Sequence, residues 1–307
     1  MPVQTIMVDV EQSRSNSTVY VNGTISDGGL AVVPVFDHGF LYGEGVYETL
    51  RTYHQSPFLL HRHLARLRTS ASLLELVIPQ DDAELTAAIA ATMRHAALEG
   101  EQYVRLLVTR GVGELSYDPA TCPRPTVVII VKPHLENSTE IMAKGISVIV
   151  SSVLRNHPQA INPRIKSNNL LNNALAMQEA MRAGAQEALM RNYRGELSEC
   201  AQSNVFLVKD TEVLTPPLES GLLEGVTRNF VFEVGAKTGF TVRETVLRDS
   251  NLREADEVFI TSTTREILPV TRVDDRAVGT GEPGPVTLTL AAAFRHQAEL
   301  ISGGSDA

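Results

Sequence analysis

The stretch that decides the fold is IKSNNLLNNALAMQEA, residues 165–180. Apolar side chains recur from here to Met181 at steps of three and four residues, which predicts a helix with one buried face. Ser167, Asn168 and Asn169 precede that face and are good N-cap residues, so we expect Lys166 at the mouth of the helix N-terminus. A lysine buried there loses its proton more readily than an exposed one, as Schiff-base formation with an aldehyde requires. On this stretch alone, an exposed loop lysine remains the alternative.

Length and charge restrict the class of protein. The chain has 307 residues, which favours two domains, with 43% hydrophobic and 21% charged residues. The net charge of −9 argues against nucleic acid or an anionic membrane as the main partner. No apolar run approaches the roughly 20 residues of a membrane span, and we find no targeting segment. Cys122 and Cys200 lie far apart, as expected for free thiols of a cytoplasmic protein.

Strands and helices alternate in both halves of the chain, which predicts an α/β or α+β fold. Residues 1–132 are predicted to form a smaller N-terminal α/β domain and residues 145–307 a larger C-terminal one. The polar residues 133–144 are predicted to connect the two domains. Asn22-Gly23 predicts a tight hairpin turn, and Asp81 predicts a helix N-terminus.

Glu199 is the first residue with a predicted chemical role. It lies in GELSECAQSNVFLV, directly before an apolar strand, so we expect it to point into the interior. A buried carboxylate needs a partner. The protonated ring nitrogen of pyridoxal phosphate fits, because that cofactor needs the proton to act as an electron sink. An exposed turn glutamate, as Glu196 is expected to be, is the alternative.

Three features predict a phosphate site. Residues 222–228, LLEGVTR, form a glycine turn that leads into a helix, whose first amides are free donors for a phosphate. Residues 261–264, TSTT, form a second turn rich in hydroxyl groups after a strand. Arg51 ends a largely apolar strand, where a guanidinium favours an anionic partner. Each feature is common by itself.

Taken in order, these motifs resemble the class IV aminotransferases, which are the fold-type IV pyridoxal-phosphate enzymes. The resemblance runs from about residue 20 to 300 and rests on several long motifs in register. The motifs are FDHGFLYGEGVYETLR (36–51), YVRLLVTRGVG (103–113), IKSNNLLNNALAMQEA (165–180), SECAQSNVFLV (198–208), TPPLESGLLEGVTR (215–228) and ADEVFITSTTREILPV (255–270). The resemblance implies two α/β domains with the cofactor at their interface, and a homodimer or larger assembly.

The resemblance also implies a role for each matching residue. Lys166 would hold pyridoxal 5'-phosphate as an internal aldimine and carry the proton between the substrate Cα and C4′. Glu199 would pair with the pyridinium nitrogen. The other implied cofactor contacts are Arg51, the amides of Val226 and Thr227, and Thr263 at the phosphate, and Leu223 against the ring.

The substrate residues resemble those of branched-chain aminotransferases, which carry a Tyr-x-Arg on the strand before the interdomain loop. Here it reads Tyr103-Val104-Arg105. The resemblance implies that Arg105 binds the distal carboxylate of glutamate, that Tyr103 orients the substrate, and that Tyr42 and Tyr47 form pocket walls. It implies ping-pong transamination of branched-chain L-amino acids with 2-oxoglutarate as the keto-acid acceptor.

Other positions depart from that subgroup. Leu170 and Leu171 stand where a tyrosine is usual, residues 262–264 read Ser-Thr-Thr instead of Gly-Thr-Ala, and residues 48–51 read Glu-Thr-Leu-Arg instead of Glu-Gly-x-Arg. Thr49 and Thr264 are bulkier than the usual residues, which would narrow the pocket.

The lysine helix and the hydroxyl turn are more similar to D-amino-acid aminotransferases. The Arg-x-His of those enzymes is replaced by residues 114–117, ELSY. A D-amino-acid transaminase, an aminodeoxychorismate lyase and an R-selective amine transaminase therefore remain alternatives. A cofactor-binding protein without turnover is a further one, against which Lys166 and Glu199 both argue. We expect no metal site among the histidines.

Overall fold

The computed structural model describes residues 16–303, which divide into two compact units. Within the described residues, the N-terminal unit comprises 16–135, 165–170 and 302–303, and the C-terminal unit comprises 136–164 and 171–301. The segment 165–170 therefore belongs to the N-terminal unit, although the sequence placed it in the C-terminal domain.

The N-terminal unit contains a six-stranded antiparallel sheet in the order β2-β1-β6-β5-β3-β4. Its elements are β1 (Thr18–Val21), β2 (Thr24–Asp27), α1 (His38–Leu41), β3 (Gly45–Tyr53), β4 (Ser56–Pro57), α2 (Leu60–Leu73), α3 (Asp82–Ala96), β5 (Gln102–Thr109) and β6 (Thr126–Pro133). A 3₁₀ turn at Pro119–Thr121 precedes β6.

Local sequence signals are confirmed at two places in this unit. Asn22 and Gly23 have φ of 46° and 99°, and two positive φ angles are what a type I′ hairpin turn requires. Asp81 caps α3 by accepting from the Glu84 amide, while the Glu84 carboxylate accepts from the Asp81 amide. These reciprocal bonds satisfy donors that a helix start would otherwise leave unpaired.

The alternation of β3 separates two kinds of side chain. Val46, Glu48 and Leu50 are buried on the face that α2 and α3 cover. Tyr47 and Thr49 point to the opposite face, because successive strand residues alternate. The covered face holds the core of the unit, including Leu64, Leu67, Leu85, Ile89, Val104, Leu106, Ile129 and Val131.

The C-terminal unit contains a nine-stranded mixed sheet in the order β12-β11-β10-β13-β14-β7-β8-β9, with β15 paired to β14. Its elements are α4 (Thr139–Lys144), β7 (Ile146–Val150), α5 (Leu171–Arg182), β8 (Glu187–Arg191), β9 (Leu197–Cys200), β10 (Asn204–Lys209), β11 (Glu212–Thr215), a 3₁₀ turn (Leu218–Ser220), α6 (Val226–Thr238), β12 (Thr241–Glu244), α7 (Asp249–Glu254), β13 (Glu257–Ser262), β14 (Glu266–Val273), β15 (Arg276–Ala277) and α8 (Pro285–Gly303). Its core is apolar and lies along β7, β8, β10, β13 and β14.

The structure defines two predicted segments more closely. The stretch predicted as a polar connection, 133–144, contains α4, whose N-terminus the Ser138 hydroxyl caps. The helix predicted to follow the N-cap candidates 167–169 begins at Leu171. The backbone of residues 166–168 is instead bonded to the start of β3, where Asn168 donates to the Gly45 carbonyl over 2.9 Å. Those backbone groups are therefore not available for a helical turn.

No helix within residues 16–303 is long and apolar enough to cross a membrane. Both cysteines are buried free thiols.

Candidate cofactor and substrate site

Lys166 is fixed through its backbone by two elements of the N-terminal unit. Its carbonyl accepts from the Tyr47 amide over 2.9 Å, and its amide donates to the Ser70 hydroxyl over 3.1 Å. Ser167 forms a bridge to Val46, so the segment lies beside β3. The Lys166 Nζ is 4.6 Å from the centroid of the Tyr47 ring. The lysine is thus positioned by β3 and α2, and the helix begins five residues later, at Leu171.

The face of the sheet opposite the helices brings together three of the five predicted substrate residues, Tyr47, Tyr103 and Arg105. Cross-strand pairs place Arg105 opposite Thr49, and Tyr103 opposite Arg51, and directly opposed residues share a face. The Arg105 guanidinium lies 4.1 Å from the Tyr47 ring centroid. Tyr47 therefore contacts both the lysine amine and the guanidinium predicted to bind the substrate. We call this surface of β3, β5 and β6 the open face.

Arg51 ends the open face and is 1% exposed. Its guanidinium lies 4.2 Å from the Tyr53 ring centroid, and its Nε donates to the Thr52 carbonyl over 3.4 Å. A buried guanidinium has a fixed direction and few alternative rotamers, so it is suited to holding an anion in one geometry.

Tyr42 lies away from the strand that carries Tyr47, at the C-cap of α1. Its ring makes an edge-to-face contact with His38 at 4.9 Å and a tilted contact with Tyr117 at 5.1 Å.

The covered side of β3 contains a charge cluster that sequence reasoning missed. Glu48 is fully buried and accepts from Arg66 through both of its oxygens at 2.7 Å, and from His63 Nδ1 at 2.7 Å. Burial alone would raise the pKa of Glu48, but the charge and hydrogen bonds of Arg66, with those of His63, outweigh it and lower that pKa to about 2. Burial lowers the pKa of His63, more than its bond to Glu48 raises it.

Glu199 is buried on β9, as its sequence context predicted, with 5% exposure. Its carboxylate accepts from Arg155 Nε at 2.7 Å and from the Leu223 amide at 3.1 Å. The same guanidinium donates to Asn172 Oδ1 over 3.1 Å, in the first turn of α5. Arg155 was not predicted, because no local pattern connects it with a glutamate 44 residues later.

The predicted phosphate turn adjoins this carboxylate in the C-terminal unit. Gly225 is the N-cap of α6 and no side chain caps the helix there, so the first amides have no capping acceptor. Asn204 Nδ2 donates to the Leu223 carbonyl at 3.0 Å and to Glu199 at 3.3 Å. A Cβ on Gly225 would lie 2.1 Å from Asn204 Oδ1, so only glycine fits the turn.

The hydroxyl turn lies beside the same residues. Thr261 on β13 pairs across the sheet with Asn204. Its buried hydroxyl has no hydrogen-bond partner among the described residues. Thr263 and Thr264 follow β13 in the turn and are part-buried. A buried hydroxyl without a partner is costly, so an external acceptor is favoured here.

The donor set fits pyridoxal phosphate. Open helix amides, threonine hydroxyls and a buried guanidinium suit a dianionic phosphate, and a buried carboxylate suits a protonated ring nitrogen. A lysine amine suits the aldehyde. Lys166 and Arg51 belong to the N-terminal unit. The predicted residues of the C-terminal unit are Glu199, Leu223, Val226, Thr227, Thr263 and Thr264.

Comparison with known proteins gives consistent results. The model of a family described as amino-transferase class IV matches residues 45–273. A branched-chain-amino-acid aminotransferase of Salmonella typhimurium is 36% identical, over 90% of this chain and 91% of its own. A D-alanine aminotransferase of Listeria monocytogenes is 35% identical, over 89% and 93%. A branched-chain amino acid aminotransferase of T.th., crystallised with pyridoxamine 5'-phosphate, superposes with a TM-score of 0.87 at 31% identity, over 92% and 94%.

Proposed function

Because the chain belongs to the class IV aminotransferases, and is therefore a pyridoxal-phosphate-dependent enzyme that transfers amino groups between amino and keto acids, we propose that its substrates are branched-chain L-amino acids, with 2-oxoglutarate as acceptor. The observation that carries this proposal is the arrangement of Tyr47, Tyr103 and Arg105 on the open face. It supplies apolar ring surface and the Arg105 guanidinium, which lies 4.1 Å from the centroid of the Tyr47 ring that Lys166 contacts.

The cofactor would be held by both sets of residues. Arg51, the first amides of α6 and Thr263 would bind its phosphate, and Leu223 would lie against its ring. Glu199, kept in place by Arg155 and the Leu223 amide, would accept a hydrogen bond from the ring nitrogen and keep it protonated. When bound there, pyridoxal phosphate supplies the electron sink that the carbanionic transition state needs.

Lys166 would bind the cofactor covalently and, once released by the substrate, act as the acid-base group. It would take the proton from the substrate α-carbon and deliver it to C4′ of the cofactor. Its backbone bonds to Tyr47 and Ser70 fix the Cα from which the side chain reaches. Fixed positioning of this kind raises the rate, because less motion must be restricted at the transition state.

Arg105 would allow the two half-reactions of a ping-pong cycle to share one pocket. The side chain of leucine or valine would contact the rings of Tyr42 and Tyr47, with Thr264 narrowing the pocket. The distal carboxylate of glutamate would bind Arg105, with Tyr103 orienting it. A guanidinium that already contacts a tyrosine ring is less hydrated. Placing an apolar substrate side chain beside it therefore costs less desolvation of the guanidinium.

A D-amino-acid transaminase is the second candidate. It is favoured by the Listeria D-alanine aminotransferase and by the leucines at 170 and 171. Leu171 is the first residue of α5 and is 65% exposed in this chain.

We also propose a homodimer. Residues 30–40 expose large apolar side chains, among them Leu30, Val32, Val35 and Phe40 at 74%, 78%, 63% and 73%. Apolar side chains exposed together mark protein interfaces more often than free surface. Sedimentation of the purified protein at a single-chain mass would contradict the proposal.

Stopped-flow absorbance of the cofactor-loaded protein tests the substrate. Mixing with L-leucine should bleach the yellow band of the bound cofactor, and D-alanine and D-glutamate should leave it unchanged. Bleaching by the D-amino acids alone would contradict the branched-chain proposal and support the second candidate. Subsequent addition of 2-oxoglutarate should restore the band.

A further inference from the structure

Lys132, on β6, is a cation that the roles above do not use. Cross-strand pairing sets Lys132 opposite Tyr103, and Ile130 opposite Arg105, so Lys132 lies on the open face as the diagonal neighbour of Arg105. The Lys132 Nζ is 4.9 Å from the centroid of the Tyr103 ring.

The two cations lean in the same direction. Lys132 reaches over Tyr103 on the next strand, β5, and Arg105 reaches over Tyr47 on the strand after it, β3. Both heads are therefore displaced toward β3, on the side where the Lys166 amine contacts Tyr47. Their ring contacts hold them without neutralising them.

Neither cation has a carboxylate partner among residues 16–303, and this distinguishes them from Arg66 and Arg110, two cations of the same unit that are not exposed. Arg66 pairs with Glu48 and Arg110 with Glu44, each at 2.7 Å. Lys132 and Arg105 are both part-buried. Two like charges on adjacent strands repel each other, so an anion between them is favoured.

We propose that Lys132 and Arg105 together bind the distal carboxylate of the dicarboxylic substrate, which makes Lys132 a specificity-determining residue for glutamate and 2-oxoglutarate. This inference rests on the proposed role of Arg105. Two cations can each bind one carboxylate oxygen. A monocarboxylic substrate such as leucine has no group for Lys132 to bind.

The cofactor phosphate is a second anion to consider, because Arg51 lies in the same cross-strand row. Arg51 is on β3, however, and β5 separates it from Lys132, which sets the two backbones about 10 Å apart. Arg105 is on the strand directly next to Lys132. The geometry therefore favours the carboxylate.

The test compares Lys132→Met with Lys132→Arg, which keeps the charge. Lys144→Met, an exposed lysine paired with Glu140, is the control. Lys132→Met should lower kcat/KM for glutamate and 2-oxoglutarate about tenfold and leave kcat/KM for leucine within about twofold. Lys132→Arg should retain most of the wild-type ratio of kcat/KM for glutamate to kcat/KM for leucine, and Lys144→Met should retain all of it. The dissociation constant of pyridoxal phosphate, measured by titrating the apoprotein, should stay the same in all three variants.

Three results would overturn the inference. The first is an equal change of kcat/KM for glutamate and leucine in Lys132→Met, and the second is no change of kcat/KM for either. The third is weaker binding of pyridoxal phosphate with an unchanged ratio of the two kcat/KM values, which would assign Lys132 to the phosphate. If the wild-type protein uses D-amino acids instead, the same comparison is made with D-glutamate and D-alanine. In that case the branched-chain proposal fails, while the selectivity of the variants still decides the role of Lys132.

Discussion

Both faces of the N-terminal sheet carry charged side chains, but the partners of these side chains differ between the two faces. On the covered face, Glu48 is matched by His63 and Arg66, with both of its oxygens bonded. On the open face, Arg105 and Lys132 rest on tyrosine rings and have no carboxylate partner among the described residues.

The difference separates the charges that stabilise the fold from those proposed to bind a ligand. The attraction within a buried ion pair offsets part of its desolvation cost, and removing one partner leaves the other charge buried and uncompensated. An unmatched cation on a part-buried face stays available to an external anion. The alternation of a single strand thus places the paired Glu48 on one face and the proposed ligand contacts Tyr47 and Arg51 on the other.

The largest expected effect is on the open face. Lys166→Ala should abolish transamination, because it removes both the covalent attachment and the acid-base group. Its midpoint in urea should change little, since the bonds to Tyr47 and Ser70 involve only the backbone. Measurable steady-state turnover by this variant would refute the role of Lys166.

On the covered face, the expected effect is on stability. Glu48→Gln should lower the free energy of unfolding by about 3 kcal/mol, because Arg66 loses its buried counter-charge. Urea unfolding followed by circular dichroism measures this. A loss as small as that expected for Glu140→Gln, an exposed residue, would show that the cluster contributes little to the fold.

The same cluster predicts how stability depends on pH. The pKa of Glu48 is lowered from 4.5 to about 2, so its stabilisation is complete above pH 4.5 and is lost as pH falls toward 2. The pKa of His63 is lowered from 6.5, so the unfolded chain binds its proton first and stability also declines as pH falls below 6.5. Urea midpoints between pH 7 and pH 3 should therefore fall. If the urea midpoint of Glu48→Gln falls less than that of the wild type below pH 4.5, the loss of stability in that range belongs to Glu48.

Glu199 is paired with Arg155 and is also proposed to bind the ring nitrogen of the cofactor. Glu199→Gln should slow the half-reaction with the amino donor by at least about tenfold, because the ring nitrogen loses its anionic acceptor. Glu187→Gln is the matched control, since Glu187 is also buried in the C-terminal unit and is bonded to Arg265 at 2.8 Å. Equal half-reaction rates in the two variants would remove Glu199 from this role.

The smallest effect is expected at a fully exposed pair. Lys144 and Glu140 lie one helical turn apart and are 74% and 70% exposed. Lys144→Ala should change neither the urea midpoint nor turnover measurably, because water and salt screen such pairs. A clear decrease in the urea midpoint or in turnover would show that an exposed ion pair can contribute to stability or activity as a buried one does.

Much of the fold could be predicted from local pattern. The hairpin at Asn22-Gly23, the capped start of α3, and the alternation of β3 and β5 are encoded by neighbouring residues. The membership of the chain in its family likewise follows from motifs that are continuous in the sequence.

The pairing of the Lys166 segment with β3 could not be predicted in the same way. The caps at 167–169 were equally available to a helix and to the bridge with β3. Long-range backbone bonds hold residues 166–168 beside β3, and no local pattern encodes such bonds.

The sequence by itself determined most of the strand and helix pattern, the family, and the candidates for the chemistry, Lys166 and Glu199. Only the tertiary structure decided their partners: Arg155 for Glu199, Ser70 for the Lys166 amide, and Arg105 and Lys132 as neighbours. The physical reason is that propensity, capping and alternation act over a few residues, whereas burial and ion pairing depend on what other segments bring alongside. A charge acquires its role from the partner it finds, and that partner is usually distant in the chain.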